Sequence, residues 1–438
     1  MIFRLLALVT LLLVLSTSAF AQALDTSDDS AAKPDDRSAQ ALFEEANGYL
    51  GRRYQEFNKK KLPYDPQLEA RTKKEQQELA LRNAGTLSAR NPLTSEDLYY
   101  LGMLYHVAAD ADGALSTMQL LLKDNPGGDK AQAARNVVVL YAIKKGRVAE
   151  AVAAVAEYRK HAPQNSDDRY RMEFLIADAY LRAKDYGGVA QHAEGMFTAA
   201  VEFADEKKSE PFKRDDMLVK SALLLSDSYV RTQRKEKAIT VLERLRRLAL
   251  SLPSANLYNR MTSRLLSIQP DLEPFKVFED AGAIPDTAPP EIVASQWIDQ
   301  QPIKLADLHG KVVLLDFWAP WCGPCRITLP KFSSLHNTYK DKGLFVLGVT
   351  KYYGHAQQEP VTRDEELAYL RDFKKRNRLP YGFLVGDSTV NDLNYGVFSI
   401  PTSFLLDRKG MVRFISTGAE EEELEQLENM IKKLLNER

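Results

Sequence analysis

Val312-Val313-Leu314-Leu315-Asp316-Phe317-Trp318-Ala319-Pro320-Trp321-Cys322-Gly323-Pro324-Cys325 is the stretch from which the C-terminal part of this chain is read. An apolar run of strand length feeds directly into a Cys-x-x-Cys turn. The 438-residue chain has 2 cysteines, and both are in that turn. Two thiols at this spacing form a dithiol/disulfide pair. A loop this short gains little stability from being cross-linked, because loop-closure stabilisation grows with loop length. The pair is therefore there for chemistry. A zinc site would need about four ligands, and no second Cys pair or Cys/His cluster exists to supply them.

Working outward, the N-terminus has the pattern of an export signal. Arg4 is followed by the apolar run Leu5 to Leu15, and Ala19-Phe20-Ala21 offers a small-x-small cleavage site before Gln22. Cleavage is the favoured reading, and an uncleaved membrane anchor is the alternative, since the run approaches spanning length. No cysteine lies near the site to take a lipid. A formal net charge of −1 gives no electrostatic reason to expect a nucleic-acid partner.

The rest divides into unlike parts. Residues 22–38 are rich in Asp, Ser and Ala and read as a flexible tether. From 39 to 268 apolar residues recur at three- and four-residue spacing, which predicts an all-α array. Within it Leu101-Gly102 and Tyr105 precede Ala114 and Pro126, Ile176-Ala177 and Tyr180 precede Ala190, and Leu225-Ser226 and Tyr229 precede Ala238 and Pro253. Val137, Tyr141, Ala151 and Pro163 fit more loosely. The pattern is similar to the tetratricopeptide (TPR) repeat, with a period of roughly 34 residues. About four units between 95 and 253 are expected, facing each other through small residues, with an insertion around Asp205 to Asp216. Such an array is either a packed scaffold or a concave surface that holds a partner.

Pro270, Pro274, Pro285, Pro289 and Pro290 mark a stiff linker over 269–292. After it, over 293–438, strands alternate with helices, the signature of an α/β domain. Strands are predicted at 312–318, 344–350, 381–385, 402–407 and 411–416, and helices at about 323–341, 363–377 and 420–436. Cys322 then stands where a strand ends and a helix begins, and the helix N-terminus favours its thiolate, the species that attacks disulfides. Cys325, one turn in, is placed to resolve the mixed disulfide. Asp316 interrupts a strand apolar on both faces, so its pKa should rise. Trp318 reads as core and Trp321 as a cover over the sulfurs. The histidines, His309, His336 and His355 among them, have no metal-ligand spacing. Tyr352-Tyr353-Gly354-His355 is either a groove border or a solvated loop.

Asp316 to Cys325 resembles the active-site segment of thioredoxin, and Ile400-Pro401-Thr402 resembles the cis-proline loop of that family. Pro330 matches its helix-kinking proline, and Gly418 the glycine before its last helix. Ile303 to Leu315, and the helix and short strand inserted at about 363–385, are similar to the TlpA/ResA branch of exported thioredoxin-like proteins. The resemblance implies a thioredoxin fold and a cis bond before Pro401 that presents the Ile400 backbone to a substrate strand. It also implies a proton-handling role for Asp316 toward Cys325, with Trp321, Gly323, Pro324, Ile400 and Thr402 lining the substrate site. Many TlpA/ResA proteins have Asn where Asp316 stands and Glu where Thr328 stands, so these two positions do not support a narrow assignment to cytochrome c maturation, which stays open.

The expected function is that of an exported, periplasmic or otherwise extracytoplasmic, thiol-disulfide oxidoreductase acting as a reductase. It needs no organic cofactor beyond the Cys322–Cys325 pair. Its partners would be disulfide-containing client proteins and a membrane electron donor, with the helical array recruiting clients. The alternative is a helical interaction protein whose dithiol is regulatory or vestigial. A peroxidase reading lacks a peroxide-activating Arg/Thr signature.

Overall fold

The computed structural model describes residues 36–206, 210–271 and 288–437. The expected leader at 1–21, the tether up to residue 35 and most of the 269–292 linker lie outside the described residues. Among the described residues, no helix is long and apolar enough to cross a membrane.

The N-terminal half is all helix. It opens with α1 (Ala39–Asn47), α2 (Tyr49–Lys59) and α3 (Pro66–Ser88). Four antiparallel pairs follow: α4 (Ser95–Val107) with α5 (Ala111–Asp124), α6 (Ala131–Lys144) with α7 (Val148–Lys160), α8 (Ser166–Arg182) with α9 (Tyr186–Asp205), and α10 (Pro211–Arg231) with α11 (Lys235–Ser251). A last helix, α12 (Ala255–Ile268), closes the array. Ser38, Asp65, Thr94, Asp110, Asn165, Asp185 and Ser254 each accept a backbone N–H at the start of a helix. Such caps satisfy donors that the helix itself cannot reach.

Each pair turns in the same way. One residue enters the left-handed region: Ala109, Gly146, Lys184 and Gln233, with φ of 59°, 72°, 59° and 60°. The next N–H then reaches five residues back, Asp110 to Tyr105 O, Arg147 to Ala142 O, Asp185 to Tyr180 O and Arg234 to Tyr229 O. This bond closes the first helix of the pair and aims the second.

Sequence spacing pointed to small residues facing small ones. In two of the four pairs a tyrosine ring faces a glycine: a Cβ added at Gly113 would lie 2.7 Å from the Tyr105 ring, and one at Gly188 2.5 Å from the Tyr180 ring. The expected insertion around Asp205 to Asp216 is taken up largely as helix, since α9 runs to Asp205 and α10 begins at Pro211. Proline is well tolerated at the first position of a helix.

The C-terminal half is a six-stranded sheet with helices around it. Its strands are β1 (Gln296–Ile298), β2 (Val312–Phe317), β3 (Leu344–Lys351), β6 (Gly382–Gly386), β7 (Thr402–Leu406) and β8 (Val412–Thr417), in the order β1-β6-β3-β2-β7-β8. A separate small hairpin pairs β4 (His355–Ala356) with β5 (Glu359–Pro360). β3 runs parallel to β2 and β6, whereas β7 is antiparallel to β2 and β8, and β1 to β6. The helices are α13 (Gly323–Tyr339), α14 (Arg363–Arg376), α15 (Val390–Asn394) and α16 (Glu421–Asn436). This is the thioredoxin fold.

Predicted and observed ends differ by a residue or two, as element ends do. β1, the β4–β5 hairpin and α15 have no counterpart in the sequence reading, since pieces this short carry no periodicity. β2, buried at every position, sits inside the sheet. That is why a nearly continuous apolar run forms it.

The two halves share one core. Leu245, Ala249, Tyr258 and Met261 of the last helices belong to the same apolar cluster as Phe414, Ile415, Leu427 and Ile431. At the joint, the N-terminus of α12 donates Ala255 N–H to Tyr395 O (3.0 Å) and Asn256 N–H to Gly396 O (2.8 Å). Ser254, the cap of α12, donates to buried Asp215 of α10, which also accepts from Arg214 Nε at 2.8 Å. Gly396 (φ 56°) fits against this group, where a Cβ would lie 2.6 Å from Ser254 Oγ. Thr417 Oγ1 adds a bond to Asn259 Oδ1 at 2.9 Å.

The tyrosine–glycine contacts yield an opposed pair of substitutions. Gly188→Ala should lower unfolding free energy by about 1–3 kcal/mol through overpacking, despite a helix-propensity gain of up to ~1 kcal/mol. Gly85→Ala, within α3 where an added Cβ meets nothing within 4 Å, should raise it by ~0.5–1 kcal/mol. Urea unfolding of the two variants reads the difference, and a gain in Gly188→Ala matching that in Gly85→Ala would show that the Tyr180–Gly188 contact imposes no limit.

Candidate active site

The site begins at the C-terminal end of β2. After Phe317 the chain turns, Cys322 N–H donates to Ala319 O at 3.1 Å, and α13 starts one residue later. Cys322 is the N-cap of α13, with the Cys325 N–H directed at its Sγ (3.2 Å). Arg326 locks the turn from the other side, donating through Nε and Nη2 to Pro320 O at 3.2 and 2.9 Å. The two cysteines are joined as a disulfide. Both are buried, Cys325 more fully (0% against 4% exposed), and Gly323 and Pro324 between them are exposed.

The loop before β7 comes up beside the sulfurs. Ile400 O lies 3.6 Å from Cys322 Sγ, and the Ile400–Pro401 peptide bond is cis. Pro401 O accepts from Gly418 N–H at 2.9 Å, where φ is 97°. Thr402, expected among the substrate-facing residues, is corrected by the structure. Paired with both Phe317 and Thr417 in the sheet, it is buried, and its hydroxyl donates inward to Ser399 O at 2.8 Å. Its side chain braces the loop from beneath.

Trp321 is 49% exposed and meets Tyr353 edge-on at 5.2 Å, with His355 at 6.3 Å. Trp318 is core, 4.8 Å from Phe383 and 5.3 Å from Phe373. Tyr353 is in place because Glu366, buried on α14, accepts the N–H groups of Tyr353 (2.7 Å) and Gly354 (2.9 Å). The segment around Tyr353 to His355 thus packs against Trp321, the residue before Cys322. In the sequence Glu366 is indistinct, one of three acids in the first turn of α14. Such acids are already accounted for by the helix dipole.

Asp316 is fully buried at its place in β2, opposite Ser403 in β7. Ser403 Oγ donates to Oδ1 at 3.3 Å, while Oδ2 has no partner among the described residues. Burial pushes this carboxyl from 3.8 up to about 7, partly opposed by the Ser403 bond. Burial also raises the Tyr381 hydroxyl, and the Asp316 charge adds to that rise. A carboxyl whose pKa lies near neutrality can take and return a proton in the range where thiols exchange. Ser403 too went unnoticed in the sequence, since its register opposite Asp316 exists only once β2 and β7 pair. Thr328, also buried, donates to Cys325 O at 2.9 Å. Among the described residues, no group of three or more His, Cys, Asp or Glu side chains could hold a metal ion.

Comparison with known proteins gives a consistent set of likenesses. Residues 284–415 match the AhpC/TSA family. The chain is 31% identical over 137 residues to thiol-disulfide oxidoreductase ResA of Bacillus thuringiensis subsp. konkukian, covering 31% of this chain and 71% of that protein. It is 35% identical over 114 residues to thioredoxin-like protein YneN of Bacillus subtilis, covering 26% of this chain and 61% of YneN. Among solved structures, StoA from Bacillus subtilis shows 25% identity and a TM-score of 0.27, covering 32% of this chain and 96% of StoA.

The environment of Asp316 sets a pH dependence. Its pKa is higher folded than unfolded, so the native state holds this proton more tightly than the unfolded chain does. The stability that the neutral carboxyl supplies is intact below about pH 4 and is lost as pH rises from there through about 7. The gap from 3.8 to about 7, at ~1.36 kcal/mol per pH unit, makes that loss of the order of 4 kcal/mol. Asp316→Asn should therefore be the more stable protein at pH 8 by up to about that amount and nearly equal to wild type at pH 4. Urea titrations of the disulfide form at both pH values check this, and equal stability at pH 8 would count against a buried, ionising Asp316.

Proposed function

Because the chain belongs to the ResA thiol-disulfide oxidoreductases, we propose that it is an exported disulfide reductase whose helical half holds clients beside the dithiol. The observation that carries this reading is the disulfide at the N-terminus of α13, with the Ile400 carbonyl 3.6 Å from Cys322 Sγ.

In the reduced protein the Cys322 thiolate attacks one sulfur of a client disulfide. A Cys322–client bond forms, the client S–S bond breaks, and the client's other sulfur leaves as a thiolate. Cys325 then loses its proton to ionised Asp316 and attacks Cys322 Sγ. The mixed disulfide breaks, the second client sulfur departs and takes up a proton, and the Cys322–Cys325 disulfide is formed. Two electrons have passed to the client. The helix N-terminus favours the charged sulfur at each stage in which Cys322 is free. An extended client segment can pair with the backbone at Ile400, beside the attacking sulfur.

The leader pattern at residues 1–21 supports export. Outside the cytosol a membrane electron donor would return the pair to the dithiol, and no organic cofactor is needed. The Gly323-Pro324 dipeptide, shared with thioredoxin, supports the reducing direction, with a potential near about −270 mV.

In the full chain, Cys325→Ser should strand clients on Cys322 as mixed disulfides that dithiothreitol releases, and Cys322→Ser should strand none. Equilibrium titration of the wild type against glutathione should place its potential near about −270 mV. A value near about −120 mV would make it an oxidant, and folded Cys325→Ser that captures nothing in the native compartment would overturn the exchange mechanism.

A further inference from the structure

The six residues ahead of Pro401 connect the joint between the two halves to the reacting sulfur. At one end, Tyr395 and Gly396 give their carbonyls to the N-terminus of α12, with Ser254 and Asp215 packed against Gly396. At the other, Ser399 O is held by Thr402 and Ile400 O touches Cys322 Sγ. Between these fixed points Val397 is buried and Phe398 turns outward, 56% exposed. A large apolar side chain in so braced a loop is held facing solvent.

Phe398 is not alone there. Phe212, in the first turn of α10 and 61% exposed, meets it edge-on with ring centroids 6.1 Å apart. Phe212 belongs to the helical half, and Arg214 and Asp215 of the same turn anchor the joint, Arg214 Nη2 donating to Leu252 O at 3.2 Å. Two aromatic residues from distant parts of the sequence thus stay exposed together where the halves meet. The chain from Phe398 to Ile400 spans at most about 7 Å, so this pair lies within a few client residues of the exchanging sulfurs at ~3.3 Å per residue of extended strand.

Resting on the oxidoreductase reading above, we propose that Phe212 and Phe398 form an apolar lip that selects client segments with a large apolar side chain within about four residues of the reacting cysteine. Pairing at Ile400 fixes the register of the client backbone but is blind to its side chains. The lip supplies that choice, and half of it comes from the helical array. An exposed aromatic ring held without loss of its own freedom is a low-cost anchor for such a side chain. The occupant is an extended, disulfide-bearing polypeptide, as found in an unfolded or misoxidised client.

The test uses the full-length protein and two synthetic disulfide peptides that differ at one position near the cystine, Phe in one and Ser in the other. Wild type should favour the Phe peptide in kcat/KM, through KM. Phe212→Ala should reduce that preference about 5–10-fold, the value of one modest apolar contact. Phe212→Leu should restore most of it. Phe174→Ala, which removes an exposed ring on α8 (44% exposed), should leave the preference intact. Equal use of the two peptides by wild type, or an equal loss of preference in Phe174→Ala, overturns the lip while leaving the oxidoreductase reading in place. Failure of wild type to reduce either peptide overturns that reading and the lip with it.

Discussion

A helix leaves its first N–H groups without internal partners, and here that deficit is placed under a sulfur atom. Cys322 is both the last residue of the turn out of β2 and the cap of α13, so the Cys325 N–H that needs an acceptor finds Sγ. The rest of the C-terminal half serves this junction. β2 is central and buried and fixes the point of departure, while Arg326 holds the turn at Pro320 O. β7 enters from the other side with Ile400 and Pro401 in front of it. Asp316 is fully buried in β2, otherwise built of Val, Leu and Phe, where burial disfavours its charged form. A buried carboxyl in so apolar a strand breaks local consistency in the way that functional sites do.

The helical half reaches the site from outside the sheet. Its last three helices pack on β8 and on the segment leading to Pro401, and α12 donates two of its free N–H groups to carbonyls of that segment. The same physical device, a helix N-terminus seeking acceptors, is thus used twice: once on the sulfur and once on the loop that faces it. The loop is held by the helical array on one side and by Thr402 and Gly418 on the other.

Legibility in the sequence followed the range of the interaction. The dithiol, its place between strand and helix and the buried acid are carried by contiguous residues and could be read directly, whereas the cis bond before Pro401 was implied only by the resemblance to thioredoxin. The helical array was equally plain, because its apolar period runs for more than two hundred residues. What escaped depends on pairing between distant segments: Ser403 opposite Asp316, Glu366 under Tyr353 and Gly354, and Phe212 against Phe398. The repeated turn was hidden for another reason. Three of its four left-handed residues are Ala109, Lys184 and Gln233, so the glycine that normally marks such a turn appears only at Gly146. Thr402 misled because a residue next to the groove in sequence points the other way in the sheet, where side chains alternate.

The shared core bears on how the chain comes into being. Synthesis delivers the helical array before the sheet, so β8, which packs on α11 and α12, follows them. Until β8 arrives, the end of the array presents bare hydrocarbon to water, a surface prone to wrong contacts. The first half can therefore form its hairpins early, but its final helices await their cover.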